Sequence, residues 1–371
     1  MDRLEVVLAG LAGFELDLAD VATGFSSNAG RLLPGVRLPG ESGELLSTLA
    51  PDVENFHDAL SSAHKDDVTA IETLASGLDT ARREYLGAEG TSTAEIADGN
   101  AEIPGQSDEV TRFSGLHIPH LPQVEEAQAT VRNVVNTGID SIRAFDDPWG
   151  QIVGMKPAAD YLSPLVGDWE VLRTVGERIG LLSVNDHAAS ENIVAGNDWL
   201  QTIWTRLGAQ AFGRNAGSRG AAIAGRGRDL EVVSKIVQNA GACLERAVYN
   251  QSVDLSNTLT QPMTFVGFKL PLGVWALLTH KPMQESQRAE IISAVDSLKT
   301  RAKSRQDYMT AMLDRVSSAL AYSPGRAPPS FDPADFEVPE KVPAGSHAMR
   351  YGFRDNVWWE GTAVPGGLLA V

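Results

Sequence analysis

The chain has 371 residues, 43% of them hydrophobic and only 6% aromatic, with a formal charge of −17 and a single cysteine. That is enough apolar material to close cores, in a balance that favours helical bundles over sheets, on a surface that repels phosphate backbones and so excludes nucleic acid as a partner. Cys243 has no partner for an internal disulfide and falls in helical register with Val237, Ala240, Leu244 and Val248, so it reads as a small buried hydrophobe.

From the N-terminus, Leu4, Val7, Leu8, Leu11, Phe14, Leu18, Val21 and Phe25 recur at three- and four-residue spacing and predict an amphipathic helix. Acidic residues flank its apolar stretch and no basic leader precedes it, so no Sec signal is expected. A Gly- and Pro-rich loop from Gly30 to Gly43 separates it from a second stripe, Val53, Phe56, Leu60, Ala63, Ile71, Leu74, Leu78, Ala81 and Tyr85, which should pair with it antiparallel. Residues 91–122, rich in Gly, Pro and polar types, read as a flexible linker. Residues 1–110 hold 6 Lys and Arg against 21 Asp and Glu, so −15 of the charge lies in the N-terminal part.

A short helix with Val124, Val131, Val135, Ile139, Ile142 and Phe145 should stop before Asp146-Asp147-Pro148-Trp149-Gly150, followed by a turn. From Pro157 a long stripe runs through Leu162, Trp169, Leu172, Ile179, Leu182, Ile193 and Ile203, and another from Ala209 runs through Phe212, Ile223, Leu230, Val237, Leu244, Val248 and Leu259. At about 1.5 Å per residue the two predict a rod-like hairpin of roughly 70 Å. An irregular apolar crossover, Met263 to Met283, leads to a last helix with Ile291, Val295, Leu298, Met309, Met312 and Leu320, expected as a third bundle member. The run Leu270 to Thr279 is too short to span a bilayer. The predicted fold is therefore all-α, built of antiparallel helical hairpins: a two-helix hairpin over 1–90, the linker, an elongated bundle over 123–322, and a Pro- and aromatic-rich tail over 323–371 that carries Tyr351, Phe353, Trp358 and Trp359.

No Ser/His/Asp, Cys/His, paired-carboxylate or nucleotide motif is present, and no catalytic residue, metal or cofactor is expected. His117 and His120 have metal-ligand spacing, but Pro119 and Pro122 extend the segment and no Cys or Asp cluster joins them. Gly213, Gly217, Gly220, Gly225 and Gly227 alternate with arginines; without a strand and a G-x-x-x-x-G-K they read as a thin helix face against which another helix lies, the arginines solvated or facing an acidic partner.

Two motifs remain. At the expected turn of the long hairpin the sequence reads Trp204-Thr-Arg206-Leu-Gly208-Ala209-Gln-Ala211-Phe212. This resembles the Trp-x-Gly turn of WXG-type proteins, the helical-hairpin substrates of the type VII (ESX) secretion system of actinobacteria, with Arg206 standing where the family has its turn glycine. After the first hairpin, Tyr85-Leu-Gly-Ala-Glu89 resembles the Tyr-x-x-x-Asp/Glu secretion motif of such substrates, in chain that should be leaving the helix, so that ring and carboxylate face a receptor. Residues 1–90 look EspC-like, and residues 150–262 like a longer WXG-type or PPE-like hairpin. The resemblance implies a substrate or effector exported by a Sec-independent route, secreted or held in the cell envelope, whose partner is the secretion machinery or a helical protein. Two other readings stand beside it: an intracellular chaperone or assembly partner of the same system, and the trafficking portion of a polymorphic toxin.

Overall fold

A computed structural model of the chain describes residues 2–40, 42–96, 110–205, 207–327, 329–343, 350–351 and 358–359, with 2–7, 88–96 and the last two pairs described in backbone alone. Helix takes 76% of the described residues, and the strands are confined to two-stranded ladders, so the fold is all-α.

The first hairpin consists of α1 (Asp2–Leu32) and α2 (Ala50–Ile96). Pro34 and Pro39 end the first helix and shape the loop, because proline supplies no N–H to a continuing ladder. The second helix runs past Gly87 and Gly90, where the chain is expected to leave the helix, and into the first residues of the linker expected over 91–122: a helical glycine costs only about 1 kcal/mol, and no proline follows Pro51 before Pro104.

A short helix, α3 (Thr130–Ile142), is followed by α4 (Asp146–Val153) and α5 (Pro157–Tyr161). The long stripe expected from Pro157 is broken by Ser163-Pro164 and Gly167, so the first arm of the long hairpin, α6 (Val171–Ile203), starts only after buried Trp169. The second arm, α7 (Leu207–Thr260), has 54 residues, a rod of about 80 Å. The crossover is more regular than its sequence suggested. Strands β1 (Pro262–Phe265) and β2 (Phe268–Pro271) pair antiparallel around Val266-Gly267, both at positive φ, and lead to α8 (Leu272–Leu278). Last comes α9 (Glu285–Leu320), lying along α7.

The two arms of the long hairpin meet along small residues spaced by seven: Gly176, Ser183, Ser190 and Asn197 on α6 face Ser234, Gly227, Gly220 and Gly213 on α7. Ser183 donates to the Gly227 carbonyl at 2.7 Å, Ser190 to that of Gly220 at 2.8 Å, and Ser234 back to that of Gly176 at 2.7 Å. A Cβ built on Gly176 would come within 2.9 Å of the Gln238 backbone nitrogen, so the seam depends on having no side chain there. The Gly-rich arginine segment is thus the thin face its composition suggested. Gly213, Gly220 and Gly227 face α6, whereas Gly217 faces open space.

The N-terminal hairpin is not a separate unit tethered by a linker. Leu11, Phe14, Leu18, Val21 and Phe25 of α1 and Ile71 and Leu78 of α2 share one core with Ile193, Leu200, Trp204, Phe212 and Ile223 of the long hairpin. Of the linker expected over 91–122, residues 91–96 belong to α2, and the stretch from residue 110 is an extended strap pinned across α1 and α6. Phe113 N–H donates to Asp17 at 2.8 Å and Arg112 pairs with Asp17 and Asp20. The Asn192 amide accepts from His117 N–H at 2.9 Å and donates to its carbonyl at 2.7 Å. An aspartate and an asparagine on helices thus supply the partners that a second strand would have given. Val124, expected in the following helix, lies in this strap. No described helix is long and apolar enough to cross a membrane.

Candidate functional site

The tip of the long hairpin forms where Trp204 leaves helical geometry: φ −135° and ψ 110° turn the chain outward while its N–H still closes on the Leu200 carbonyl at 2.9 Å. Gln201 braces the turn by donating to the Ala209 carbonyl at 3.0 Å. The indole folds back beneath the turn, 4% exposed, with its ring 6.0 Å from that of Phe212. Phe212 in turn meets Phe14 of α1 edge-on at 6.2 Å, and Phe14 meets Trp199 at 6.3 Å. Gly208 makes room for this: a Cβ there would lie 3.2 Å from the indole edge. The motif glycine serves close approach to the indole. Arg206 lies outside the described residues, and its neighbour Leu207 is 83% exposed at the apex.

The two sequence motifs come together at this tip. Tyr85, half-buried near the end of α2, accepts a hydrogen bond at its phenol oxygen from the Trp204 indole N–H at 3.1 Å. The sequence placed them in different domains. Tyr85 therefore rests against the bundle instead of projecting from a frayed end, and Glu89, expected in chain leaving the helix, sits on α2 with about two further turns beyond it. The side chain of Glu89 lies outside the described residues, as do Phe353 and the side chains of Tyr351, Trp358 and Trp359 in the tail.

About midway along the hairpin lies a feature the sequence reading missed. The Arg226 guanidinium, 6% exposed, grips both oxygens of the wholly buried Asp186 at 2.7 and 3.0 Å and also pairs with Asp67 of α2. Arg219 reaches the other oxygen of Asp67 at 2.9 Å. His64 Nε2 lies 3.2 Å from Asp186 while its Nδ1 is 2.9 Å from the Leu60 carbonyl, and its ring stacks on Phe25 at 5.1 Å. Burial alone would raise the Asp186 pKa, but its contacts with His64 and Arg226 reverse that and hold the carboxyl below the ordinary aspartate range. Of the arginines expected to be solvated or to face an acidic partner, Arg219 and Arg226 find their acids within the chain, whereas Arg214 and Arg228 are exposed. Arg219 and Arg226 stand seven apart and His64 and Asp67 three apart, each pair on one helix face; that spacing was the only signal available.

A second buried carboxylate, Glu170, caps α3: its Oε1 accepts from Thr130 Oγ1 at 2.7 Å and from Val131 N–H at 2.8 Å. Burial pushes its pKa up, against the opposing effect of those hydrogen bonds. Cys243 is buried and its thiol pushed up for the same reason. His117 is held by its backbone to Asn192, and among the described residues no three His, Cys, Asp or Glu groups gather as metal ligands would.

No family model matches this chain, and no curated protein or solved structure matches it.

Proposed function

We propose that the chain is a type VII (ESX) secretion substrate or effector that works by protein–protein contact, without a cofactor and not as an enzyme, and that it leaves the cytoplasm by a Sec-independent route. The observation that carries this reading is the Trp204–Tyr85 hydrogen bond. It gathers the tryptophan turn and the tyrosine motif, the two stretches resembling such substrates, at one end of a helical rod, beside the exposed Leu207. A receptor approaching that end meets an apolar apex and a half-buried tyrosine whose phenol oxygen accepts from the indole N–H.

The test is export from matched actinobacterial cells with and without a working ESX system. The unaltered chain is expected in the culture filtrate or envelope only when the system works, and Tyr85→Ala is expected to stay in the cell while remaining folded. Export without the system would overturn the reading, and unchanged export of a folded Tyr85→Ala chain would remove the tyrosine from it. A chain that stays in the cytoplasm bound to other ESX proteins would instead be the chaperone of the alternative reading.

A further inference from the structure

Beyond the tip, the groove between α7 and α9 already holds a peptide. Residues 331–343 lie along it as a strap, a 3-10 turn over Pro333–Phe336 followed by an extended stretch, 337–343, with Pro339 and Pro343, and hydrogen bonds from both helices go to its main chain. On α7, Arg246 donates to the Pro339 carbonyl at 3.3 Å and Asn257 to that of Pro343 at 3.0 Å. Between them Asn250, 3% exposed, grips the chain with both ends of its amide, donating to the Glu340 carbonyl and accepting from Val342 N–H, each at 2.8 Å. On α9, Tyr308 donates to the Glu337 carbonyl at 3.2 Å and Arg315 to that of Asp335.

Three features distinguish this from a tail that merely collapses onto the core. The hydrogen bonds from Arg246, Asn250, Asn257 and Tyr308 reach backbone, so they are portable to another chain of like shape, while Lys341 adds a side-chain contact over the Tyr249 ring at 5.2 Å. The prolines hold that shape in advance and lack the N–H groups that such a groove would leave unpaired. The charges are complementary: Arg315 pairs with Asp335 at 3.1 Å and lies over the Phe336 ring at 5.5 Å, and Glu337 and Glu340 follow on the same strap. Only Phe336 is buried deeply, stacked on Phe331 at 5.4 Å. A cavity of about 500 Å³ stays open between the strap and the helices, lined in part by Ala247, Ser304 and Arg305, so the strap is held by its hydrogen bonds more than by close packing.

We propose that the α7–α9 groove is a binding site for an extended, acidic, proline-spaced segment of a partner protein, and that residues 331–343 are its resident occupant, displaced when the partner binds. This is recognition of a preformed extended chain, in which rigid prolines lower the entropy lost on docking. It is independent of the export reading, because a folded chain can be tested for it in vitro.

Two measurements decide it. In the unaltered full chain, hydrogen exchange should show the Val342 amide opening about a hundredfold more often than the α7 amides near Asn250, a local release without global unfolding. A fluorescein-labelled peptide of residues 331–343 should then bind the full-length Phe336→Ala chain, whose own strap has lost its apolar anchor, about tenfold more tightly than the unaltered chain. Adding Asn250→Leu should abolish that binding, and replacing the three prolines of the peptide with alanine should weaken it about tenfold. Exchange of Val342 only through global unfolding overturns the proposal, even if Phe336→Ala fails to fold. So does a peptide that binds neither folded chain, or one indifferent to Asn250→Leu. A concentration-dependent doubling of mass in Phe336→Ala would make the occupant a second copy's strap and overturn the separate partner.

Discussion

Arg226 serves two buried carboxylates at once, and this decides what its loss would do. Arg226→Ala leaves Asp186 and Asp67 inside the molecule without their main counter-charge, which costs about 3–5 kcal/mol where such pairs have been broken one partner at a time. Urea unfolding at neutral pH is the check. The two buried acids pull in opposite directions with pH. Asp186 has a depressed folded pKa, so it contributes stability above the unfolded aspartate range and loses that contribution as pH falls through its folded value. Glu170 has a raised one, so its ionisation costs stability as pH rises from the unfolded value towards the folded one, and the cost persists above it. Glu170→Gln is therefore expected to raise stability at pH 7 by on the order of 1 kcal/mol and to do little near pH 3, whereas Asp186→Asn lowers it at pH 7. A Glu170→Gln chain less stable than the unaltered one at pH 7 would mean that the capping hydrogen bonds need the charge.

At the scale of elements, the seam between α6 and α7 separates glycines that look alike in sequence. Gly176→Ala drives a methyl against the Gln238 backbone, which cannot swing aside as a side chain would, and is expected to cost about 1–3 kcal/mol. Gly217→Ala, on the same stretch of α7 as the packed glycines but facing open space, should stabilise by up to about 1 kcal/mol through helix propensity alone. Thermal melts of the two variants should move in opposite directions; a stabilised Gly176→Ala would show that the helices are not in contact there.

For the whole molecule, a first part carrying −15 of the −17 charge and a near-neutral remainder would suit two bodies attracted across a tether, an association that salt weakens. The shared core changes the expectation. Phe14 of α1 packs against Trp199 and Phe212 of the long hairpin, so Phe14→Ala should destabilise by about 3–5 kcal/mol, whereas raising salt should leave the joint between the halves intact. Comparing salt series for the unaltered chain and the variant, read by exchange protection in α1, distinguishes an apolar joint from an ionic one. Small-angle scattering should give a maximum dimension of at least about 80 Å, set by the length of α7.

The sequence by itself determined the helices, because apolar spacing and proline act locally. The stripes from Leu11 to Phe25 and from Phe212 to Leu259 predicted α1 and α7, and Trp204 marked the turn between the long arms. It did not separate the packed Gly213, Gly220 and Gly227 from Gly217, which faces open space, because the sequence offers all of them as one small-residue face. What it left undecided was where those faces go. Gly87 and Gly90 do not stop α2, since glycine weakens a helix without removing a donor. Polar composition implies flexibility in the strap after residue 110, whereas Asp17 and Asn192, distant in sequence, hold its backbone. The joining of Tyr85 to Trp204, of Asp67 to Arg226 and of Asn250 to residues 340 and 342 depends on residues 90 to 159 positions apart, and only tertiary packing brings such groups within hydrogen-bond reach.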